Sequence, residues 1–263
     1  MHYSEHRPCL EAGRFIERFW TLEVGGALNV QRIVPDGRSE LILNFGAPFE
    51  AYRDGRWMLQ PSWFFAGQIT GPLLIRPTGP TRLIGIRFRP EGAAQLFRMP
   101  MYELADRTPS LMEIAPSLAN SFNDAALPAI ESSLCLQARS GDPLVTEAVR
   151  RITQRNGAQP IGVLATHLNI SIRQLERRFE SRVGLPIKQF ARMQRFQRVF
   201  GELETEQANW AETAIACGYY DQAHLIRDFR EFAGQPPALL LSGDELARHF
   251  LSHFSKTADR VRR

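Results

Sequence analysis

The sequence matches itself at a spacing of 50 residues. Leu175, Arg177, Phe179, Gly184 and Pro186 recur as Leu225, Arg227, Phe229, Gly234 and Pro236. Ser171 pairs with Asp221, and both residue types cap helix N-termini. Upstream, Ala165 matches Ala214 at an offset of 49, so the second copy has one extra residue in its turn. A period of this size marks one supersecondary unit built twice. In each copy a short helix carries a small residue, Ala165 or Ala214, which lets two helices cross closely. A tight turn follows, His167-Leu168-Asn169-Ile170 or Cys217-Gly218-Tyr219-Tyr220, and Gly218 suits the positive φ such a turn needs. Ser171-x-x-Gln174 is a capping box and starts the next helix. This is the grammar of a helix-turn-helix.

At about 100° per residue, Leu175 and Phe179 share the inner face of the first capped helix, with Ile172 beside them. Arg173, Glu176, Arg177 and Glu180 point outward. In the second copy Leu225, Phe229 and Phe232 are inner, while Ala223, Ile226, Arg227 and Arg230 are outer. Such outer faces fit a major groove. Arg173, Arg177 and Arg227 can each offer a guanidinium fork to guanine O6 and N7, and Glu176 can accept from a cytosine amino group. Gln222 sits at the helix start, where groove entry occurs. Plainer roles stand beside these: Glu176 as an ion-pair partner within its helix, Arg173 as a surface charge, Gln174 as a cap and His224 as an exposed helix residue. Arg178 and Arg182 flank the buried face, as phosphate contacts or structural partners; Lys188 and Arg230 are further phosphate-contact candidates. Between the copies, residues 188–204 carry an apolar stripe of Met193, Phe196, Phe200 and Leu203, with Arg192, Arg195 and Arg198 off it. A long helix there would set the two units rigidly apart, and a gap near 34 Å would place them in successive grooves.

Charge agrees with a polyanionic partner. The chain nets +4 over 263 residues, but residues 1–141 carry 14 Arg against 14 acidic residues, so residues 142–263 hold the whole excess. Within 171–198 eight basic residues oppose only Glu176 and Glu180, the footprint of a nucleic-acid binder or of an Arg-rich solvated face. No apolar run approaches the roughly 18 residues that span a membrane, and the start lacks a signal-peptide pattern, so the expected location is the cytoplasm. Cys9, Cys135 and Cys217 are scattered and odd in number, which argues against a disulfide framework or thiolate zinc site. Residues 1–141 hold only His2 and His6, at a start expected to be mobile, and no nucleophile elbow or phosphate loop is present. No catalytic residue, cofactor or metal is assigned, and the chain is not expected to be an enzyme. His249 and His253 lie four apart, but with Leu246, Phe250 and Phe254 they read as a docked amphipathic tail helix rather than a metal site.

The fold class is α+β. Residues 1–140 read as a β-rich sandwich or barrel with a helical linker toward its end, and residues 142–263 as an all-α domain with two helix-turn-helix units joined by a long helix. Strands are expected at 39–45, either side of the Asp54-Gly55 hairpin turn, and at 81–90. A helix is expected over about 91–98, and one or two more over 104–142. Asp142-Pro143 caps a helix that Gly157 ends. Trp57, Trp63, Phe64 and Phe65 either pack the core or line a pocket, with packing the better reading.

LATHLNISIRQLERRFESRVGLP and CGYYDQAHLIRDFREFAGQPP resemble the two helix-turn-helix units of the AraC/XylS family of bacterial transcription regulators. The resemblance covers about 142–241, and Gly218-Tyr219, Arg227-Asp228-Phe229 and Gly234-Gln235-Pro236-Pro237 carry it most strongly. It implies a sequence-specific DNA-binding regulator. Its base-facing positions fall on Arg173, Glu176 and Arg177, and on Gln222, Ala223, Ile226 and Arg227. Thr213 departs from the family's usual aliphatic residue, and Asp228 stands where the first copy has Arg178. Pro35-Asp36-Gly37-x-x-Glu40 and Phe88-Arg89-Pro90 resemble an uncharacterised subgroup of the family's β-rich sensor or dimerisation domains. The partner implied is double-stranded DNA, with RNA polymerase, a small-molecule effector and a second copy of the chain as open candidates. No membrane partner is expected. The alternative is a small-molecule sensor whose main event is binding in the β domain.

Overall fold

The computed structural model describes residues 2–25, 30–122, 126–202 and 209–242. The expectations for Leu203 and for the tail helix with His249 and His253 lie outside the described residues.

Strict alternation builds the N-terminal half. Strand β4, Glu40–Asn44, sends Leu41 and Leu43 to one face and Ile42 to the other. It pairs with β9, Thr81–Phe88, and β7, Trp63–Ala66; β9 pairs with β2, Ile16–Val24, and β2 with β1, His2–His6. The order of this five-stranded sheet is β1-β2-β9-β4-β7. A four-stranded sheet, β3-β8-β5-β6, comprises Gln31–Ile33, Leu73–Pro77, Phe49–Arg53 and Arg56–Leu59. All pairings are antiparallel. Leu22, Ile42, Phe64 and Leu83 meet Phe49 and Ile75 between the sheets. The other face of the larger sheet is covered by α1, Leu111–Ile114, α2, Pro116–Ser121, and α3, Leu127–Gln137, through Leu111, Leu118, Ile130 and Leu134. The domain is a sandwich with a helical third layer, and among the described residues no sheet closes into a barrel.

Two expectations change, and a third holds in part. The start is not loose: His2 and His6 lie in β1, paired along β2. The helix expected over 91–98 shrinks to a 3-10 turn, Ala93–Gln95, and the carbonyls of Gln95 and Phe97 accept from the backbone and side chain of Arg139. Of the four aromatics, three take the packing reading and Trp57 departs from it. Phe65 and Trp63 pack under the helical layer, Phe64 lies between the sheets, and Trp57 sits on the outer face beneath the guanidinium of Arg76.

The C-terminal half is helical. Helix α4, Pro143–Gln154, starts on Asp142, whose carboxylate accepts from the Leu144 and Val145 amides. The first unit is α5, Ile161–His167, and α6, Ile172–Val183; the second is α8, Trp210–Ala216, and α9, Gln222–Ala233. Helix α7, Ile187–Glu202, joins them, and α10, Pro237–Ser242, follows. Each capped helix ends on its matched glycine, Gly184 at φ 91° and Gly234 at φ 74°, a left-handed cap that costs any other residue type strain. The first unit packs Leu175 and Phe179 against Val145, Ala148 and Ile152 of α4. The second packs Phe229 and Phe232 against Phe196 and Phe200 of α7, and the Phe196 ring lies 4.9 Å from Phe229 and 5.3 Å from Phe232.

Phe196 is fully buried where α7 meets α9. Phe196→Ala is expected to cost about 3–5 kcal/mol, read as a lower chemical-denaturation midpoint.

Candidate nucleic-acid interface

Local chemistry aims both capped helices. Ser171 and Gln174 form the reciprocal capping box, with the Gln174 amide donating to Ser171 Oγ and the Ser171 amide to Gln174 Oε1 at 3.0 Å. Gln174 is therefore occupied as a cap. In the second unit Asp221 Oδ1 accepts from the His224 amide at 2.7 Å. The His224 ring stands edge-on to Tyr219, 5.1 Å between centroids. Behind the turn, Cys217 and Tyr219 are buried, and burial pushes the Cys217 thiol up to about 11.

The base-facing candidates fall on two solvent-facing strips. Arg173 and Arg177 are exposed on α6, with Glu176 half-buried between them. Gln222, Ala223 and Arg227 are exposed on α9, and Ile226 is half-buried, one side resting on the core. Arg182, Lys188 and Arg230 are exposed beside these strips. Among the described residues none of Arg173, Arg177, Arg182, Lys188, Arg227 or Arg230 forms an ion pair, nor does Glu176. Arg178 differs: its Nη1 lies 2.9 Å from Asp142 Oδ2 and ties α6 to the start of α4. Asp228, its counterpart in the second unit, is turned inward at 1% exposure and accepts from Arg192 of α7 at 2.7 Å. Arg192 also grips Glu231 at 2.5 and 3.0 Å, and the two carboxylates hold its guanidinium firmly charged. Asp228 therefore serves as the fastening of α9 to the connecting helix.

Residues 164–243 match the helix-turn-helix domain model, a span that reaches across both units. The C-terminal half of the chain carries an AraC-type DNA-binding domain. A chain built around this domain is a transcription regulator. Residues 4–110 match a domain of unknown function (DUF6597). No curated protein matches the chain. Among solved structures, an apo form of ToxT from Vibrio cholerae is 8% identical, with 85% of this chain and 96% of that chain covered at a TM-score of 0.46. ToxT with an unsaturated fatty acid bound is 8% identical, over 83% and 96%, at 0.39. The AraC-like transcriptional activator CuxR is 14% identical, over 76% and 86%, at 0.26. These overlaps are loose, and the assignment rests on the helix-turn-helix match. No helix of the described residues is long and apolar enough to cross a membrane.

Sequence reasoning missed how the N-terminal domain holds the AraC-type domain. The loop between β3 and β4 presses on it. Val34 is buried in the cluster of Met193, Phe196, Phe229 and Phe232. Gln197 Nε2 donates to the Pro35 carbonyl at 2.6 Å, and Arg32 Nη1 donates to the Ala233 carbonyl at the end of α9 at 2.9 Å. Gly37, at φ 75°, faces the Phe190 ring so closely that a Cβ would lie 2.6 Å from it. Behind the loop Arg87, buried, bonds Asp36 and lies 2.7 Å from Glu40, while Glu17 takes Arg38 at 2.5 Å and Arg18 at 2.9 Å. Burial would push the Glu17 carboxyl up, but Arg38, Arg87 and Arg18 outweigh it and hold it well below the carboxylate range. The Pro35-Asp36-Gly37-x-x-Glu40 string was the visible signal; its partner Arg87 lies 51 residues from Asp36.

Arg192→Leu leaves the Asp228 carboxylate buried beside an alkyl chain. It is expected to cost about 3 kcal/mol in chemical denaturation, with Arg192→Lys recovering part of the loss.

Proposed function

We propose that the chain regulates transcription by inserting α6 and α9 into two successive major grooves of one operator, under the control of its N-terminal domain. The observation that supports this best is the repeat itself: two capped helices, each carrying exposed cations outside and a packed core behind, fastened to one connecting helix. Arg173, Arg177 and Arg227 read guanine, Glu176 a cytosine amino group, and Gln222, Ala223 and Ile226 complete the second face. Arg182, Lys188 and Arg230 take phosphates, and Arg178 does so from its tie to Asp142. The protein acts in the cytoplasm as a binder, not a catalyst, with RNA polymerase and a second copy of the chain as further partners.

Control runs through residues 32–37, which touch both the connecting helix and the end of α9. A second reading, a small-molecule sensor, is favoured by an open cleft of about 560 Å³ at one end of the larger sheet, lined by His2, Glu23, Phe45, Thr81 and Arg82 among others. An effector there would stiffen β2 and β9, the strands that carry Glu17 and Arg87. A heat-stability screen against a metabolite panel would detect it as a raised Tm.

Site selection from a randomised duplex pool at near-physiological salt is expected to return a bipartite motif with halves about one helical turn apart. A single half-site would remove α9 from the base-reading role. Arg177→Ala should weaken the selected site by about 1–3 kcal/mol and relax base choice at one position, whereas Lys188→Ala should weaken all sequences alike and lower the salt slope by about 1. Gly37→Ala touches no base-reading residue, yet it is expected to change operator affinity several-fold. Unchanged affinity with a lowered Tm would make the loop contact purely structural.

A further inference from the structure

The two units are built alike, but their outer faces are not. At the 50-residue offset Arg173 corresponds to Ala223, Glu176 to Ile226 and Arg177 to Arg227. One cation is kept, and a charged pair has become an apolar pair. Ala223 is exposed, and Ile226 is half-buried with one side on the core. Next to them, in the turn just before the Asp221 cap, Tyr220 is 87% exposed. Its counterpart in the first unit, Ile170, packs against that unit's core instead. The second unit thus offers solvent three apolar groups around the start of its capped helix, where the first offers Arg173, Glu176 and one exposed apolar residue, Ile172, whose counterpart is Gln222.

We propose that the second unit reads thymine by its C5-methyl groups through Ala223, Ile226 and Tyr220, so that the operator has a guanine- and cytosine-reading half and a thymine-reading half. This rests on the reading of α6 and α9 as groove-binding helices. In the major groove only thymine presents a methyl group, and apolar side chains distinguish it by burying that group. A duplex, rather than an apolar protein partner, is the occupant because the apolar patch is flanked by Arg227 and Arg230, both exposed and without an ion pair among the described residues. Arg227, the counterpart of Arg177, supplies the guanine contact that sets register in the second half, as Arg177 does in the first. The scarcity of charge on this face follows too: Asp228 is spent on Arg192, and discrimination there comes from shape and desolvation.

The test uses the full chain and its selected duplex, with thymine replaced by deoxyuridine in one half at a time. This change removes the methyl group and leaves every hydrogen-bonding group in place. Arg177→Ala and Arg227→Ala first identify which half each unit occupies, by the guanine preference each abolishes. Deoxyuridine in the Arg227 half is expected to weaken binding about fourfold per contacted methyl, the factor that corresponds to about 0.8 kcal/mol for one buried carbon. In the Arg177 half it should change affinity less than twofold. Ala223→Ser, which keeps the helix and replaces only an exposed methyl, should reduce the uracil penalty, and Tyr220→Ala should do so without disturbing the core. Equal tolerance of uracil in both halves, or selection of guanine and cytosine at the Ala223 and Ile226 positions, would overturn the inference while leaving two-groove binding intact. Loss of selective binding by either unit would overturn both.

Discussion

Arg87 sits at the centre of the molecule's most consequential constraint. A buried guanidinium must be surrounded by acceptors, because an unpaired charge out of water costs several kcal/mol. Here Asp36 and Glu40 pair with it and Glu17 lies near, and Glu17 in turn is shared with Arg18 and Arg38. Satisfying that set pins the backbone of residues 34–40 to β2 and β9. The same backbone then presents Val34, the Pro35 carbonyl and Gly37 to α7 and α9. One electrostatic requirement inside the sandwich therefore dictates where the DNA-binding helices rest against it.

The second constraint is the connecting helix. Helix α7 contributes to both helical cores: Phe190 packs with Phe179 of the first unit, and Phe196 with Phe229 and Phe232 of the second. Arg192 lies between these contacts and fastens α9 through Asp228. A rigid connection of this kind turns two short, individually unstable helix pairs into one reading head, because neither pair buries enough apolar surface alone. The loop at 34–37 touches α7 on the same stretch, through Phe190, Gln194 and Gln197. A change in the sandwich that moved this loop would reach both units at once.

Within the repeat, the shared residues are mostly architectural and the differing ones mostly on the surface. The residues kept between copies are core or capping positions, Leu175 and Leu225, Phe179 and Phe229, Gly184 and Gly234, and one exposed pair, Arg177 and Arg227. Most of the residues that differ face out; Arg178 and Asp228 tie their helices to α4 and α7, and buried Ala233 and Phe232 stand where the first unit has Val183 and Arg182. Substitutions on an exposed helix face cost little stability, which leaves that face free to set base preference.

What could be read from the chain alone follows from local physics. The capping box at Ser171 and Gln174, the left-handed caps at Gly184 and Gly234, the hairpin at Asp54-Gly55 and the inner and outer faces of α6 and α9 all depend on residues within a few positions of one another, where periodicity and turn chemistry speak directly. The base-facing candidates were legible for the same reason, since a helix wheel needs no tertiary information. The three-layer sandwich was only partly legible: β1 and β3 carry weak alternation and exist because β2 and β8 offer them a paired edge. The 3-10 turn at 93–95 stands where a full helix was expected, and a distant arginine, Arg139, bonds the Gln95 and Phe97 carbonyls beyond the turn's start. The inward turn of Asp228, the tie of Arg178 to Asp142 and the docking of residues 34–37 on α7 and α9 were decided only by the tertiary structure. Each depends on groups from 36 to 162 residues apart, and no pattern along the chain encodes which buried charge will find which partner until packing has excluded water from both.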